Sequence, residues 1–172
     1  MNYFSKDFAW SNSEAVRLFW QGIYKAAFGA LDTIELVVDK QEQKKGVDVI
    51  VYLPDGQAIK VEEKIRRKNW DDIVLEVWSD KKRKIPGWAV KEQEANILAY
   101  GFFQGKYAHL FERQKLRTVF IENGRTWAKE FGTITAHNQG YDTVSIPVPI
   151  RVLQETMGKS MKQFKAHKEE AP

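Results

Sequence analysis

One stretch constrains this chain more than any other: Gly46-Val-Asp-Val-Ile-Val-Tyr-Leu-Pro-Asp-Gly-Gln-Ala-Ile-Lys-Val-Glu-Glu-Lys64. Val47, Val49, Val51 and Leu53 alternate with Asp48, Ile50 and Tyr52. Beyond a turn, Ile59, Val61 and Ile65 alternate with Lys60, Glu62, Lys64 and Arg66. A period of two, rich in β-branched residues, predicts two strands with one apolar face each. Leu53-Pro-Asp-Gly56 suits a type I turn, with proline second and glycine free to take positive φ. With a bulge at Gly56, Leu53 faces Gln57, and the register follows by counting. Val51 then faces Ile59, Val49 faces Val61, and Asp48 faces Glu62.

Directly opposed side chains lie roughly 4.5–5.5 Å apart at Cβ, so Asp48 and Glu62 would repel unless a cation joined them. Mg²⁺ takes oxygen ligands, keeps several waters and is commonly held by one or two carboxylates plus a substrate phosphate. Lys64 follows Glu62 by two and shares its face, where it would orient or help deprotonate water and offset phosphate charge. These parts suit metal-dependent phosphodiester hydrolysis. The plainer reading also stands: Asp48 as a strand-start residue, Glu62 and Lys64 as a solvated face with weak ion pairing.

An aspartate, a hairpin and then Glu-x-Lys resembles the PD-(D/E)xK nuclease superfamily, whose restriction-endonuclease-like core includes Holliday-junction resolvases. The resemblance covers roughly residues 10–150. It rests also on Glu14 in a preceding helix, Lys45-Gly-Val-Asp48, the basic run Lys64-Ile-Arg-Arg-Lys68 and the strand Asp71-Asp-Ile-Val-Leu-Glu-Val-Trp78. Gly87-Trp88 and Glu94-Ala-Asn-Ile-Leu-Ala-Tyr100 add to it. It looks like the small phage-type members of this group. It implies an α/β fold with a mixed central β-sheet flanked by helices, in the order αβββαβ. It implies Asp48, Glu62 and Lys64 as catalytic residues, with Glu14 as a further carboxylate. Mg²⁺, with Mn²⁺ substituting, would sit on Asp48, Glu62 and Glu14, with the backbone carbonyl of Glu63 joining the shell.

The sequence departs from the family in two places. Val47 stands where proline is common. Glu63 stands where an apolar residue is usual, on the face that Ile59, Val61 and Ile65 assign to the core. Either the strand leaves the core there, or Glu63 rather than Glu62 has a special role. Glu14 has its own second reading, because Ser11-Asn-Ser-Glu14 matches a capping box that closes a helix start.

The excess charge is concentrated. The chain of 172 residues carries a net +4, and residues 40–91 hold thirteen Lys/Arg against nine Asp/Glu, so the whole excess lies there. Its two clusters are Arg66, Arg67 and Lys68, and Lys81, Lys82, Arg83 and Lys84. Such clusters neutralise phosphates and make binding salt-dependent; otherwise they are solvated loops. There is no cysteine, hence no disulfide framework or thiolate metal site. His109, His137 and His167 are scattered without zinc spacing. Gly158-Lys-Ser160 lacks the first glycine of a P-loop, and Ser79-Asp-Lys-Lys82 lacks the motifs that accompany Ser-x-x-Lys enzymes. Phe102, Phe103 and Tyr107 read as core. Met1-Asn-Tyr-Phe-Ser-Lys-Asp7 has no signal-peptide pattern, and no apolar run approaches the ~20 residues of a membrane span. A cytoplasmic location, in a bacterium or a phage-infected host, is expected.

The length suits a single domain over residues 1–158 with a charged, frayed tail over 159–172. Ser13 to Phe28 reads as a helix with Val16, Phe19, Trp20, Ile23 and Ala27 in one stripe, ended by Gly29. Strands are expected over 31–39, 73–78, 96–103 and 107–112. A short helix is expected over 89–94, helices over 114–123 and 125–131, a strand pair over 133–137 and 143–148, and a helix over 150–157. The expected activity is a Mg²⁺-dependent DNA endonuclease acting on branched or junction DNA as a homodimer. A sequence-specific restriction-type enzyme is the first alternative. A non-catalytic nucleic-acid-binding module is the second.

Overall fold

The computed structural model describes residues 9–166. The N-terminal heptapeptide read for a signal pattern, His167 and the last part of the expected tail lie outside the described residues. The contacts divide the chain into two compact units. One runs to Asn69, resumes over Glu94–Phe111 and takes in the chain from Lys162; the other comprises Trp70–Gln93 and Glu112–Met161.

The first unit opens with α1 (Glu14–Phe28). Its buried residues Val16, Phe19, Trp20, Ile23 and Tyr24 recur at helical spacing, as the stripe predicts. Gly29, at φ +79°, ends the helix and donates its N–H to the Lys25 carbonyl at 2.9 Å. Strand β1 (Thr33–Leu36), shorter than the strand expected over 31–39, and a short helix α2 (Lys40–Lys44) follow. Asp39 caps α2 by accepting the Gln41 N–H at 2.6 Å. Then come β2 (Val49–Tyr52) and β3 (Ala58–Arg66).

The hairpin forms in the predicted register: Val49 pairs with Val61 and Val51 with Ile59. Leu53 donates to Gln57 O at 2.8 Å and accepts from Gly56 N at 2.9 Å, with Gly56 at φ +86°. Strand β3 then pairs in parallel with β6 (Ile97–Phe102), and β7 (Tyr107–Glu112) and β10 (Met161–Lys165) complete the sheet. The order is β1-β2-β3-β6-β7-β10, mixed in direction. The apolar stripe of α1 packs on Val49, Val51, Val61, Ala99, Ala108 and Leu110. Each buried valine or leucine among them contributes about 2 kcal/mol. Gly101 permits this close approach, since a Cβ there would lie 2.8 Å from the Phe19 ring and 2.9 Å from that of Trp20.

The second unit holds β4 (Asp72–Asp80), β5 (Ile85–Pro86), β8 (Ile134–Asn138) and β9 (Tyr141–Pro149) in a sheet of order β5-β4-β9-β8. Helices α3 (Arg113–Phe131) and α4 (Ile150–Met157) pack against β9. Its core includes Ile73, Leu75, Leu116, Val119, Ile146, Val148 and Leu153.

Four expectations need correction. The strand after the hairpin, β4, joins the second sheet rather than the central one. Residues 89–94 form turns rather than a helix, so the crossover from β3 to β6 lacks the helix of an αβββαβ order. The two helices expected either side of Gly124 are one, because Leu116, Val119, Phe120 and Trp127 bury a stripe that offsets the roughly 1 kcal/mol helical cost of a glycine. Residues 161–165 do not fray: buried Met161 and the core contact of Phe164 hold β10 at the sheet edge. The preceding residues 158–160 form a single 3-10 turn.

Candidate active site

Strand periodicity sorts the side chains of β3. Val61 is fully buried against α1, with Ile59 and Ile65 packed on the same core. Glu62 and Lys64 take the opposite parity, and Lys64 Nζ lies 2.9 Å from Glu62 Oε1. Glu62 is 1% exposed, whereas the Lys64 side chain keeps about a third of its surface. The expected Glu-x-Lys pairing on one strand face is therefore present as a close ion pair.

Asp48 stands one residue before β2. Its carbonyl accepts from Val37 N at 2.9 Å, and its N–H reaches Val61 O at 2.9 Å. Val49 also pairs with Val61, so two residues oppose one, which is the pattern of a β-bulge. The simple opposition of Asp48 to Glu62 is thereby modified. The Asp48 carboxylate turns instead to the main chain of β3, where Oδ2 accepts the Glu63 N–H at 2.7 Å. Burial raises the Asp48 pKa above the ordinary aspartate value. The Lys64 ammonium, the Glu63 N–H and Arg17 oppose that rise, and the charge of Glu62 adds to it. Asp48 therefore lies within the fields of Lys64, Glu62 and Arg17.

Glu63 lies on the α1 side of β3 and does not leave the core. Its carboxylate contacts Arg17 at 2.6 and 3.4 Å and accepts from the Tyr24 hydroxyl at 2.7 Å. Burial pushes the Glu63 pKa up, against the pull of the Arg17 charge and of the bonds from Arg17 and Tyr24. Burial and the neighbouring Glu63 charge raise Tyr24 well above the usual phenol value. Sequence reasoning missed Arg17 and Tyr24. The available signal was a carboxylate at an apolar-parity position, which requires a polar partner from whatever covers it. Arg17 and Tyr24 lie seven residues apart, two helical turns on one face.

A cleft of about 480 Å³ is lined by Asp48, Glu63, Lys64 and Arg17, with Ser11 and Asn12 at the helix start. Glu62 is not part of this lining. Glu14 is exposed on the first turn of α1 and lines a second cleft of about 670 Å³, with Arg17, Leu18, Tyr24, Leu31 and Leu36. The capping box does not form: the N-cap is Ser13, and its side chain makes no capping bond.

The basic clusters fall in different units. Arg66 ends β3, Lys68 is exposed, and the Arg67 guanidinium lies 4.6 Å from the Trp10 ring centroid. Lys81, Lys82, Arg83 and Lys84 form the exposed turn between β4 and β5. Buried Asp80 shapes that turn by accepting the Arg83 N–H at 3.0 Å. Glu76 on β4 is half-buried and accepts the Trp88 N–H at 3.3 Å.

Among the described residues no group of three or more His, Cys, Asp or Glu is gathered to hold a metal. Asp48 and Glu62, each under the charge of Lys64, would offer oxygen donors alone. That chemistry fits a hard cation keeping most of its waters, and does not fit zinc. No helix among the described residues is long and apolar enough to cross a membrane. No family model, curated protein or solved structure matches the chain.

Proposed function

We propose that this chain is a metal-dependent DNA endonuclease with a restriction-endonuclease-like core, structure-selective in the manner of Holliday-junction resolvases. The observation that carries the reading is the grouping of Asp48, Glu62 and Lys64 at the open end of a hairpin, with each charge acting on Asp48. The order of α1, the antiparallel strands β1, β2 and β3, and then β6 parallel to β3 supports it. Asp48 and Glu62 would hold Mg²⁺, or Mn²⁺ in its place. When bound, the ion lowers the pKa of its water and polarises the phosphate. Lys64 faces the cleft, where its ammonium orients the attacking water and offsets charge on the phosphate. Asp48 is fixed by main-chain bonds on both sides, which suits a ligand that must not move. Arg66, Arg67 and Lys68 would supply phosphate contacts. Cutting two strands symmetrically calls for two sites, so a two-fold homodimer belongs to the reading.

The test is cleavage of labelled four-way junction, duplex and single strand with Mg²⁺ or Mn²⁺, with and without chelator. Paired nicks in the junction, lost on chelation and in Glu62→Ala or Asp48→Ala, are expected, with DNA binding retained in both variants. Full activity in either variant would defeat the mechanism, and cutting of plain duplex at fixed sequences would favour the restriction-type alternative. One observation favours the non-catalytic alternative: Glu62 is buried and engaged with Lys64, outside the cleft lining. Binding of DNA without cleavage by the wild-type protein would establish that reading.

A further inference from the structure

Glu63 sits where the alternation of Ile59, Val61 and Ile65 calls for an apolar side chain, and its carboxylate is held by two residues of one helix. Arg17 grips both oxygens, at 2.6 and 3.4 Å, and the buried Tyr24 hydroxyl adds a third contact at 2.7 Å. Apolar packing of a helix on a sheet is non-directional and tolerates sliding. Charge-assisted hydrogen bonds are directional and fix position. These three contacts therefore lock α1 to β3 at a single residue. That residue is also the one whose N–H binds Asp48 Oδ2 at 2.7 Å. Arg17, Asp48 and Glu63 line the same cleft.

We propose that Arg17, Tyr24 and Glu63 form a positioning clamp for Asp48. The clamp holds the peptide of Glu63 so that its N–H fixes one oxygen of the Asp48 carboxylate and aims the group into the cleft. Its value for catalysis rests on the endonuclease reading above; its action on Asp48 does not. A buried ion pair is poor evidence of a stabilising role, because apolar residues of similar volume often replace one without loss. That property separates the two roles experimentally.

The test replaces the whole polar cluster in the full chain, with Arg17→Met, Tyr24→Phe and Glu63→Leu together. Amide hydrogen exchange in metal-free protein, corrected for intrinsic rates, reports the bond to Asp48 directly. Protection at position 63 is expected to fall at least tenfold. Protection at Asn96 and Leu53, whose N–H groups bond Lys60 O and Gln57 O, is expected to hold within twofold. Mn²⁺ affinity is expected to fall about tenfold. Unchanged protection at position 63 in a folded variant would overturn the clamp. Tyr24→Phe alone loses a single hydroxyl and keeps the test available if the triple variant does not fold. It should lower protection at position 63 at least threefold, and no change there would also overturn the clamp. A wild-type protein that cleaves no DNA yet shows these exchange differences would refute the endonuclease reading and leave the clamp standing.

Discussion

Replacing His109 should make the protein markedly less sensitive to acid. His109 lies on β7 and is 1% exposed. The rings of Phe102, Tyr107 and Phe111 surround it at centroid distances of 6.2, 5.7 and 6.4 Å. Neither ring nitrogen has a hydrogen-bond partner among the described residues. Burial alone therefore disfavours the imidazolium and lowers the pKa from 6.5 to about 4. Between those values the unfolded chain binds a proton that the folded chain refuses, so stability falls as pH drops from about 6.5 to about 4 and levels off below. A shift of that size corresponds to about 3 kcal/mol, a large share of a typical domain's stability. Asp48 and Glu63 act in the opposite sense, because their raised folded pKa values favour the folded state as acid protonates them. The raw pH profile mixes these slopes, and the difference between wild type and His109→Leu isolates the histidine. Urea unfolding followed by tryptophan fluorescence at pH 7, 6, 5 and 4 measures it. The variant should gain about 3 kcal/mol on the wild type between pH 7 and pH 4. A gap constant to within about 0.5 kcal/mol would refute the reasoning, as would an imidazole titration midpoint near the ordinary value.

Gly101→Ala places a methyl group against the Phe19 and Trp20 rings and should cost about 1–3 kcal/mol in a denaturation experiment. Arg113→Met removes a buried guanidinium that donates to Trp88 O, Lys91 O and Gln93 Oε1, leaving those acceptors short, and should lower stability by about 3 kcal/mol by urea unfolding. Asp48→Asn should reduce metal-dependent cleavage at least a hundredfold at unchanged DNA affinity, read from single-turnover rates and gel shifts. Replacing Arg66, Arg67 and Lys68 together by alanine should weaken DNA binding and make the salt dependence of its affinity shallower by about 2–3 in the log–log slope.

The hairpin was legible because its register is set locally. A proline-glycine turn fixes the loop length, and two apolar faces fix which residues meet. The stripe of α1 and the start of α4 at Ile150 were legible for the same reason, a periodic pattern bounded by a glycine or a proline. Strand order was not. Ile73, Leu75 and Val77 alternate in β4 much as Val49 and Val51 do in β2, and nothing in alternation says which sheet receives a strand. Strand β10 was hidden by composition: three lysines over residues 159–165 outweigh Met161 and Phe164, although those two apolar side chains are enough to hold a strand at an edge.

The site divides along the same line. Glu62 and Lys64 share a face because side chains alternate, and any strand assignment yields that pairing. The placement of Asp48 depends on something alternation does not contain, a side chain standing in for a main-chain acceptor at the end of a ladder. With its own N–H on Val61 O, Asp48 shares that partner with Val49, and its carboxylate takes the Glu63 N–H beside the cleft. The parity of Glu63 announced a conflict, and the conflict had two resolutions: the strand leaves the core, or the core supplies a partner. Only the helix facing β3 decides between them, through Arg17 and Tyr24, two turns apart on one face. A buried carboxylate that breaks a pattern is thus a pointer to a long-range contact, here 46 residues away in sequence. The departure from apolar character at Glu63 is the residue-level reason to look for support of Asp48 in α1 rather than in the hairpin itself.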